Sequence, residues 1–429
     1  MHDKNWKRNL YILMVCQFFV MAAMTMIIPF LPLYLQDLGV TDPQAVSRWS
    51  GIIFGVNFLS AFLFSPLWGK LADRHGRKLM LLRSGFGMAI VITLTGFATG
   101  PWSLFFLRFL NGMISGFIPA AIALMSMSTP KKQVGYSLGM LQAGAVAGGI
   151  CGPLFGGIMA DFMGFRMIFY VTGGTILIAA FGVLFFVKEN FQKKEEKVKT
   201  NTLQDFKKVV STSPILSLFV VFFVVQCALI GINPLLSLFV QELTPSQNIA
   251  FYAGLAMSVM GFANMSASPF LGKLSDKKGH HFVLLLALLF AAIVTLPQAF
   301  VASYWQLIAF RFLLGLCLGG LLPSINSLIR HLAPVGMESR TFGFSNSFMY
   351  LGTMLGPTVG GWLASVAGIR SLFIASSILL FLNVLIVKYR VVPVMVQRKR
   401  DEKREDLQKE KKQDNRQNNA KEKHHLGQA

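Results

Sequence analysis

Charge is what this chain has least of. Asp, Glu, Lys and Arg make up 14% of its 429 residues, against about 25% in an ordinary soluble domain. No Asp or Glu falls deep inside any of its long apolar runs. Only four cysteines occur, Cys16, Cys151, Cys227 and Cys317, and each lies within such a run. They read as small apolar packing residues, not as a disulfide framework or a zinc site. The phosphate-binding pattern G-x-x-x-x-G-K-S/T is missing, so this chain is not expected to hydrolyse ATP. No Ser/His/Asp or metal-ligand cluster is evident, and His280-His281 and His424-His425 read as solvated pairs in a loop and a tail. The expectation is a protein that is not an enzyme and that carries no metal or cofactor. Short strands of alternating polarity are also lacking, which argues against a membrane barrel.

What fills the chain is apolar: 54% of residues are hydrophobic. A run of about 20 such residues crosses a bilayer as a helix, because in lipid the backbone must satisfy its own hydrogen bonds. Twelve spans are predicted, near 10–36, 49–71, 79–99, 102–126, 134–160, 166–187, 214–240, 251–274, 281–300, 303–329, 341–366 and 370–388. The first is too long for the core of a cleaved signal peptide.

Forty Lys and Arg against nineteen Asp and Glu give a formal charge of +21. The distribution argues against nucleic acid as the partner. Lys4, Lys7, Arg8, Lys70, Arg74, Arg77, Lys78, Lys131, Lys132, Lys273, Lys277, Lys278, Arg330 and Arg340 all fall in loops on one side of the twelve spans, as does the basic stretch from Lys188 to Lys208. The other side holds only Arg48, Arg166 and Arg370. Basic loops stay in the cytoplasm, so both termini are expected there.

An internal repeat organises the chain. Gly69-Lys-Leu-Ala-Asp73 recurs as Gly272-Lys-Leu-Ser-Asp276, and Arg108, Gly112 and Gly116 recur as Arg311, Gly315 and Gly319, at an offset of 203 (69 to 272). Gly152-Pro153 and Gly156-Gly157 recur as Gly356-Pro357 and Gly360-Gly361, at 204 (152 to 356). Six spans duplicated in parallel follow. The expected fold is all-α and integral to the membrane, with twelve transmembrane helices in two pseudo-symmetric six-helix bundles. The expected divisions are residues 1–187, a cytoplasmic linker over 188–213, residues 214–390, and a charged tail over 391–429.

Gly69-x-Leu-Ala-Asp73-Arg74-x-Gly76-Arg77-Lys78 resembles motif A of the major facilitator superfamily, Arg108 with Gly112 its motif B, and Gly148-x-x-x-Gly152-Pro153-x-x-Gly156-Gly157 its antiporter motif C. Together they resemble the twelve-span drug:proton antiporters. Asn5-Trp6-Lys7, Pro29-Phe30 and Leu107 to Gly112 look nearest to Gram-positive multidrug exporters of the fluoroquinolone-exporting type. The resemblance covers about residues 5–390 and implies a bacterial cytoplasmic membrane protein working as a monomer. It implies a conformational latch at Gly69, Asp73, Arg74, Gly76 and Arg77, degraded in the second copy. It also implies a role for Arg108, and for its repeat mate Arg311, in proton coupling or substrate response.

The bare residues read more plainly. Motif C puts glycines at i, i+4 and i+8 on one helix face, where backbones approach closely, and Pro153 favours a bend. A guanidinium at Arg108 is costly inside a span unless it faces water or a partner, or snorkels outward. Asp37, Asp73 and Glu242 stand as candidate proton carriers. Gln17, Asn57, Asn111, Gln142, Gln226, Asn233, Asn264, Asn326 and Asn346 lie within spans and are expected to face the interior. Met21, Met24 and Phe117 would add an adaptable apolar wall. The expected function is export of a small amphiphilic solute against protons, with neutral or zwitterionic cargo preferred over dications. Transport of a metabolite or nutrient, or a non-transporting receptor, are the alternatives.

Overall fold

The structure, a computed structural model, describes residues 6–130, 133–189, 202–211, 214–246, 248–334 and 337–398. Its regular elements are all helical among these residues. The first half holds α1 (Trp6–Met26), α2 (Leu31–Asp37), α3 (Pro43–His75), α4 (Arg77–Thr95), α5 (Pro101–Ile114), α6 (Phe117–Ser128), α7 (Val134–Met163) and α8 (Phe165–Phe186). A short α9 (Thr202–Val210) precedes the second half. That half holds α10 (Ile215–Ile230), α11 (Leu236–Leu243), α12 (Ile249–Lys278), α13 (His280–Thr295), α14 (Tyr304–Leu332), α15 (Glu338–Ala367) and α16 (Arg370–Ile386).

Eleven of the described helical stretches are long and apolar enough to cross a membrane by length and composition. The twelfth expected span corresponds to α15. It is 30 residues long, and its Ser, Thr, Asn and Gly content makes it more polar than the others. It fills the place in the second half that α7 fills in the first.

Several breaks follow from the local sequence. Pro29 and Pro32 lack an N–H to continue a helix, so the first span runs as α1, a 3-10 turn over Ile28–Phe30, and α2. Pro234 divides α10 from α11 in the same way through Asn233–Leu235. Gly76 and Gly279 stand at corresponding positions with φ of 92° and 100°, a left-handed region that glycine enters at little cost. Each lets one long helix turn directly into the next. Asp42 starts α3 by accepting from the backbone N–H of Gln44 and Ala45, at 3.1 Å each, which satisfies two orphan donors.

Side-chain packing repeats with the sequence. Tyr34 meets Phe169 at a centroid distance of 4.9 Å and an interplanar angle of 48°. Phe239 meets Phe373 with the same two values. Each half has its own buried core, one built almost wholly from residues before 188 and two almost wholly from the second half, one of which takes in Val46 of α3.

The halves touch along two seams, α3 against α15 and α7 against α12. Three polar contacts join them toward the Lys/Arg-poor face. Ser258 Oγ donates to Ile150 O at 2.6 Å, and Thr358 Oγ1 lies 3.5 Å from Gly51 O. Phe251 N donates to Asp161 Oδ2 at 2.9 Å. Toward the basic face the same four helices part: a side chain at Gly69, Gly139, Gly272 or Gly343 would meet only open space.

Candidate functional site

A cavity of about 450 Å³ lies where the halves part. α1 to α6 supply its wall, and Tyr350 of α15 lines it from the second half. It reaches from Ile27, Ile28 and Leu31, near the closed face, to Gly69, Ala72 and Arg77 at the basic face. Most of the lining is apolar, including Met21, Met24, Met80, Met88, Phe54, Phe58 and Phe117. Such side chains exclude water yet adapt to differently shaped ligands.

The polar groups are few and specific. Asn111 Nδ2 donates to Asn57 Oδ1 at 2.9 Å, joining α5 to α3 inside the cavity wall. Asn111 Oδ1 is buried with no partner. Arg108 lines the cavity, with its guanidinium 5.9 Å from the Phe169 ring. Its mate Arg311 sits 5.8 Å from the Phe373 ring and donates to Met260 Sδ at 3.7 Å, but it is sealed inside the second half. The repeat thus keeps the arginine-over-aromatic pairing in both halves while only the first opens to the cavity.

The remaining expected residues are placed as follows. Gln17 is fully buried away from the cavity, with neither amide atom partnered. Gln226 Nε2 donates to Thr353 Oγ1 at 3.3 Å. Asn264 Oδ1 lies 3.4 Å from Ser268 Oγ. Asn233 is buried at the break before α11, whereas Gln142, Asn326 and Asn346 are exposed. None of these seven lines the cavity. Asp37 and Glu242 are exposed at the ends of α2 and α11, far along the chain from any lining residue of the basic mouth.

Motif A forms the mouth. Gly69 and Arg77 line it, Arg74 is exposed, and Gly76 makes the turn. The Asp73 side chain lies outside the described residues. The helix that opens at Arg77 is capped from elsewhere: Glu189 accepts from Arg77 N at 2.9 Å and from Lys78 N at 2.7 Å.

Motif C packs two ways. Gly148, Gly152 and Gly156 lie against the α1 backbone at Phe18, Ala22 and Met26. Gly157 and Pro153 instead meet α12, at Ala250 and Gly254. The second copy repeats this, with Gly352, Gly356 and Gly360 on α10 and Gly361 on α3. The stripe therefore ties each bundle together, and its last glycine forms the seam.

Sequence reasoning missed Arg83 and Trp68. Arg83 Cζ stands 3.5 Å from the centroid of the Trp68 ring, and both residues line the cavity. The signal was a cation six residues inside α4, costly in a span unless it works there.

Two helical halves closed at one face over an apolar cavity that reaches the other define a polytopic membrane protein of the transporter class. A model of the Major Facilitator Superfamily matches residues 13–297 and again 218–424. The chain belongs to that superfamily, and is a transporter rather than an enzyme. It is 41% identical over 380 residues to "Multidrug resistance protein MdtG" of Serratia proteamaculans (strain 568), covering 88% of this chain and 92% of that one. The protein of the same name from Proteus mirabilis (strain HI4320) is 38% identical over 384 residues, covering 89% and 96%. Among solved structures, a bacterial homologue of the human lysosomal transporter Spinster, inward-facing and unoccupied, superposes with a TM-score of 0.72 at 15% identity, covering 90% and 97%. The nucleoside transporter NupG gives 0.74 at 13%, covering 90% and 99%. These two share the fold.

Proposed function

We propose that this chain exports amphiphilic drugs across a bacterial cytoplasmic membrane, exchanging them for protons by alternating access. The observation that carries the proposal is the cavity itself. It is shut at the Lys/Arg-poor face by the Asp161, Ser258 and Thr358 contacts and open toward the basic face. With the basic loops in the cytoplasm, both termini are cytoplasmic and the cavity faces inward, ready to load. Relatives named for multidrug resistance at about 40% identity point the same way. Rocking of the halves about the glycine seams would expose the cargo on the far side. Fluoroquinolones suit the expected charge preference, and a monomer holds every part of the cavity. Asp73 is the favoured coupling acid, because α3 carries it one residue beyond Ala72 at the mouth.

The test is transport by the purified full-length protein in liposomes under an imposed pH gradient. Gradient-dependent drug movement that Asp73→Asn abolishes is expected. Movement that ignores the gradient, or uptake in the same direction as protons, would overturn the reading. A drug-susceptibility panel in an efflux-deficient host, with and without a protonophore, gives the cellular counterpart.

A further inference from the structure

The described wall of the cavity is cationic. Arg77, Arg83 and Arg108 line it, and no described Asp or Glu does. Arg77 belongs to the motif A turn. Arg83 and Arg108 lie deeper, from opposite ends. Arg83 is six residues into α4 from the basic face, and Arg108 seven residues into α5 from the other, each about 10 Å along its helix.

Arg83 is held in place. Trp68 Nε1 donates to Met113 O at 2.7 Å, which fixes the indole across the end of α5. The guanidinium lies on that indole at 3.5 Å, an attraction between a cation and the ring's negative face. One N–H, on Nη2, is spent on Ser115 O at 3.3 Å. That carbonyl is available because the chain breaks at Gly116, where φ is +142°. Nε and Nη1 of Arg83 are buried without a partner, and so is Nε of Arg108. The second half has no counterpart: α14 runs unbroken through the corresponding Gly319. A guanidinium that is desolvated, oriented and left with free donors is unfavourable until an anion meets it.

We infer that Arg83, laid on Trp68, is a docking point for a carboxylate on the transported amphiphile, and that Arg108 receives the same charge deeper in the cavity. The inference rests on the export reading and narrows its cargo to amphiphiles carrying a carboxylate. The apolar body would lie along Met88, Phe58 and Phe117, which line the same cavity. Bidentate pairing suits a guanidinium better than an ammonium, so arginine at this position is a specificity-determining choice. The carboxylate of an anionic lipid has the same chemistry, as has a lipid phosphate to a first approximation, and the test separates them from cargo.

The experiment uses the full-length protein in liposomes of neutral phosphatidylcholine, with a pH gradient imposed. Two matched probes are compared, a dansyl-labelled undecanoate and its primary amide. Wild type is expected to transport the carboxylate with kcat/KM about tenfold or more above the amide, the size expected for charge-assisted pairing. Arg83→Gln should lower kcat/KM for the carboxylate, mainly through KM, by more than for the amide, so that the preference is lost. Arg83→Lys, which keeps the charge and loses the fork, should recover part of it. If Arg83→Gln lowers both probes equally, or wild type makes no distinction between them, the inference falls while gradient-driven export still stands. If wild type moves neither probe with or without the gradient, both readings fall. Should Arg83→Gln not fold, the Arg83→Lys selectivity ratio decides, and an unchanged ratio overturns the inference. Repeating the assay with anionic phosphatidylglycerol present should leave carboxylate KM unchanged; competitive inhibition by that lipid would assign the site to lipid and overturn it.

Discussion

Glu189 caps the helix that opens at Arg77. Its two carboxylate oxygens take the backbone N–H groups of Arg77 and Lys78, while Asn9 exchanges hydrogen bonds with the backbone of neighbouring Lys188 at 2.6 and 3.1 Å. Residues just past α8 are therefore fastened to α1 and to the motif A turn at once. The chain leaving the first bundle starts from a fixed point.

A carboxylate at a helix N-terminus contributes about 1 kcal/mol through the donors it satisfies and the helix dipole it meets. Glu189→Gln keeps one acceptor and removes the charge, so it should cost about half of that. Glu189→Lys should cost more, since a cation at that end is unfavourable. Thermal unfolding of the purified protein in detergent reads both. Equal midpoints for wild type and Glu189→Lys would show that the cap carries no stability.

Asp161 does similar work across the seam. It belongs to α7 but accepts from Phe251 in the first turn of α12, so its charge helps only while the Lys/Arg-poor face is shut. Asp161→Ala should favour the state open at that face, by about fivefold in population for about 1 kcal/mol lost. Labelling rates of a single cysteine introduced on the seam would rise accordingly. Asp42→Ala removes a cap within the first half alone and should leave those rates unchanged.

The division into legible and illegible parts has a physical basis. Span positions, the duplication and the motif C packing face were open to sequence reading because lipid imposes one strong rule on every span, and small residues record close backbone approach. Of the polar residues within spans, Asn57, Asn111 and Arg108 come together in the cavity wall, along with Met21, Met24 and Phe117. Gln226 and Asn264 do not, because each finds a hydroxyl on a packed neighbour, Thr353 or Ser268. Periodicity tells which residues share a helix face but not whether that face meets a cavity or another helix. Glu189 escaped notice for a different reason: its partners are backbone N–H groups more than a hundred residues away, which leave no trace in side-chain pattern.

Gly148 lies against the α1 backbone at Phe18, and Gly352 against α10 at Phe223. Leucine at either position would force the helices apart, an overpacking cost of about 1–3 kcal/mol or more. Gly139, on the same α7 but facing open space, provides the contrast. Gly148→Leu and Gly352→Leu should reduce the yield of monodisperse protein on gel filtration, and Gly139→Leu should not. Equal yields for all three would remove close helix approach as the reason for these glycines.

Asn111 offers the most direct handle on cavity charge. Its amide nitrogen is committed to Asn57, and its oxygen is buried and unpartnered on the cavity wall. Asn111→Asp replaces the donor that held Asn57, which can turn its own amide to donate instead, so the α3–α5 link survives. The change adds an acid to a wall where no described residue supplies one, three residues along α5 from Arg108. Specificity is a difference between affinities, and a like charge is an effective way to reject a ligand. Carboxylate-bearing cargo should therefore be disfavoured by Asn111→Asp, and a monocationic amphiphile of matched shape favoured, each by about tenfold at a pH where the new acid is ionised. Asn111→Leu separates the charge from the lost hydrogen bond: it should lower transport of both cargoes without exchanging their order. Competition between an anionic and a cationic fluorescent amphiphile, followed in the same liposomes, measures the exchange, and an unchanged order in Asn111→Asp would place cargo elsewhere than beside this pair.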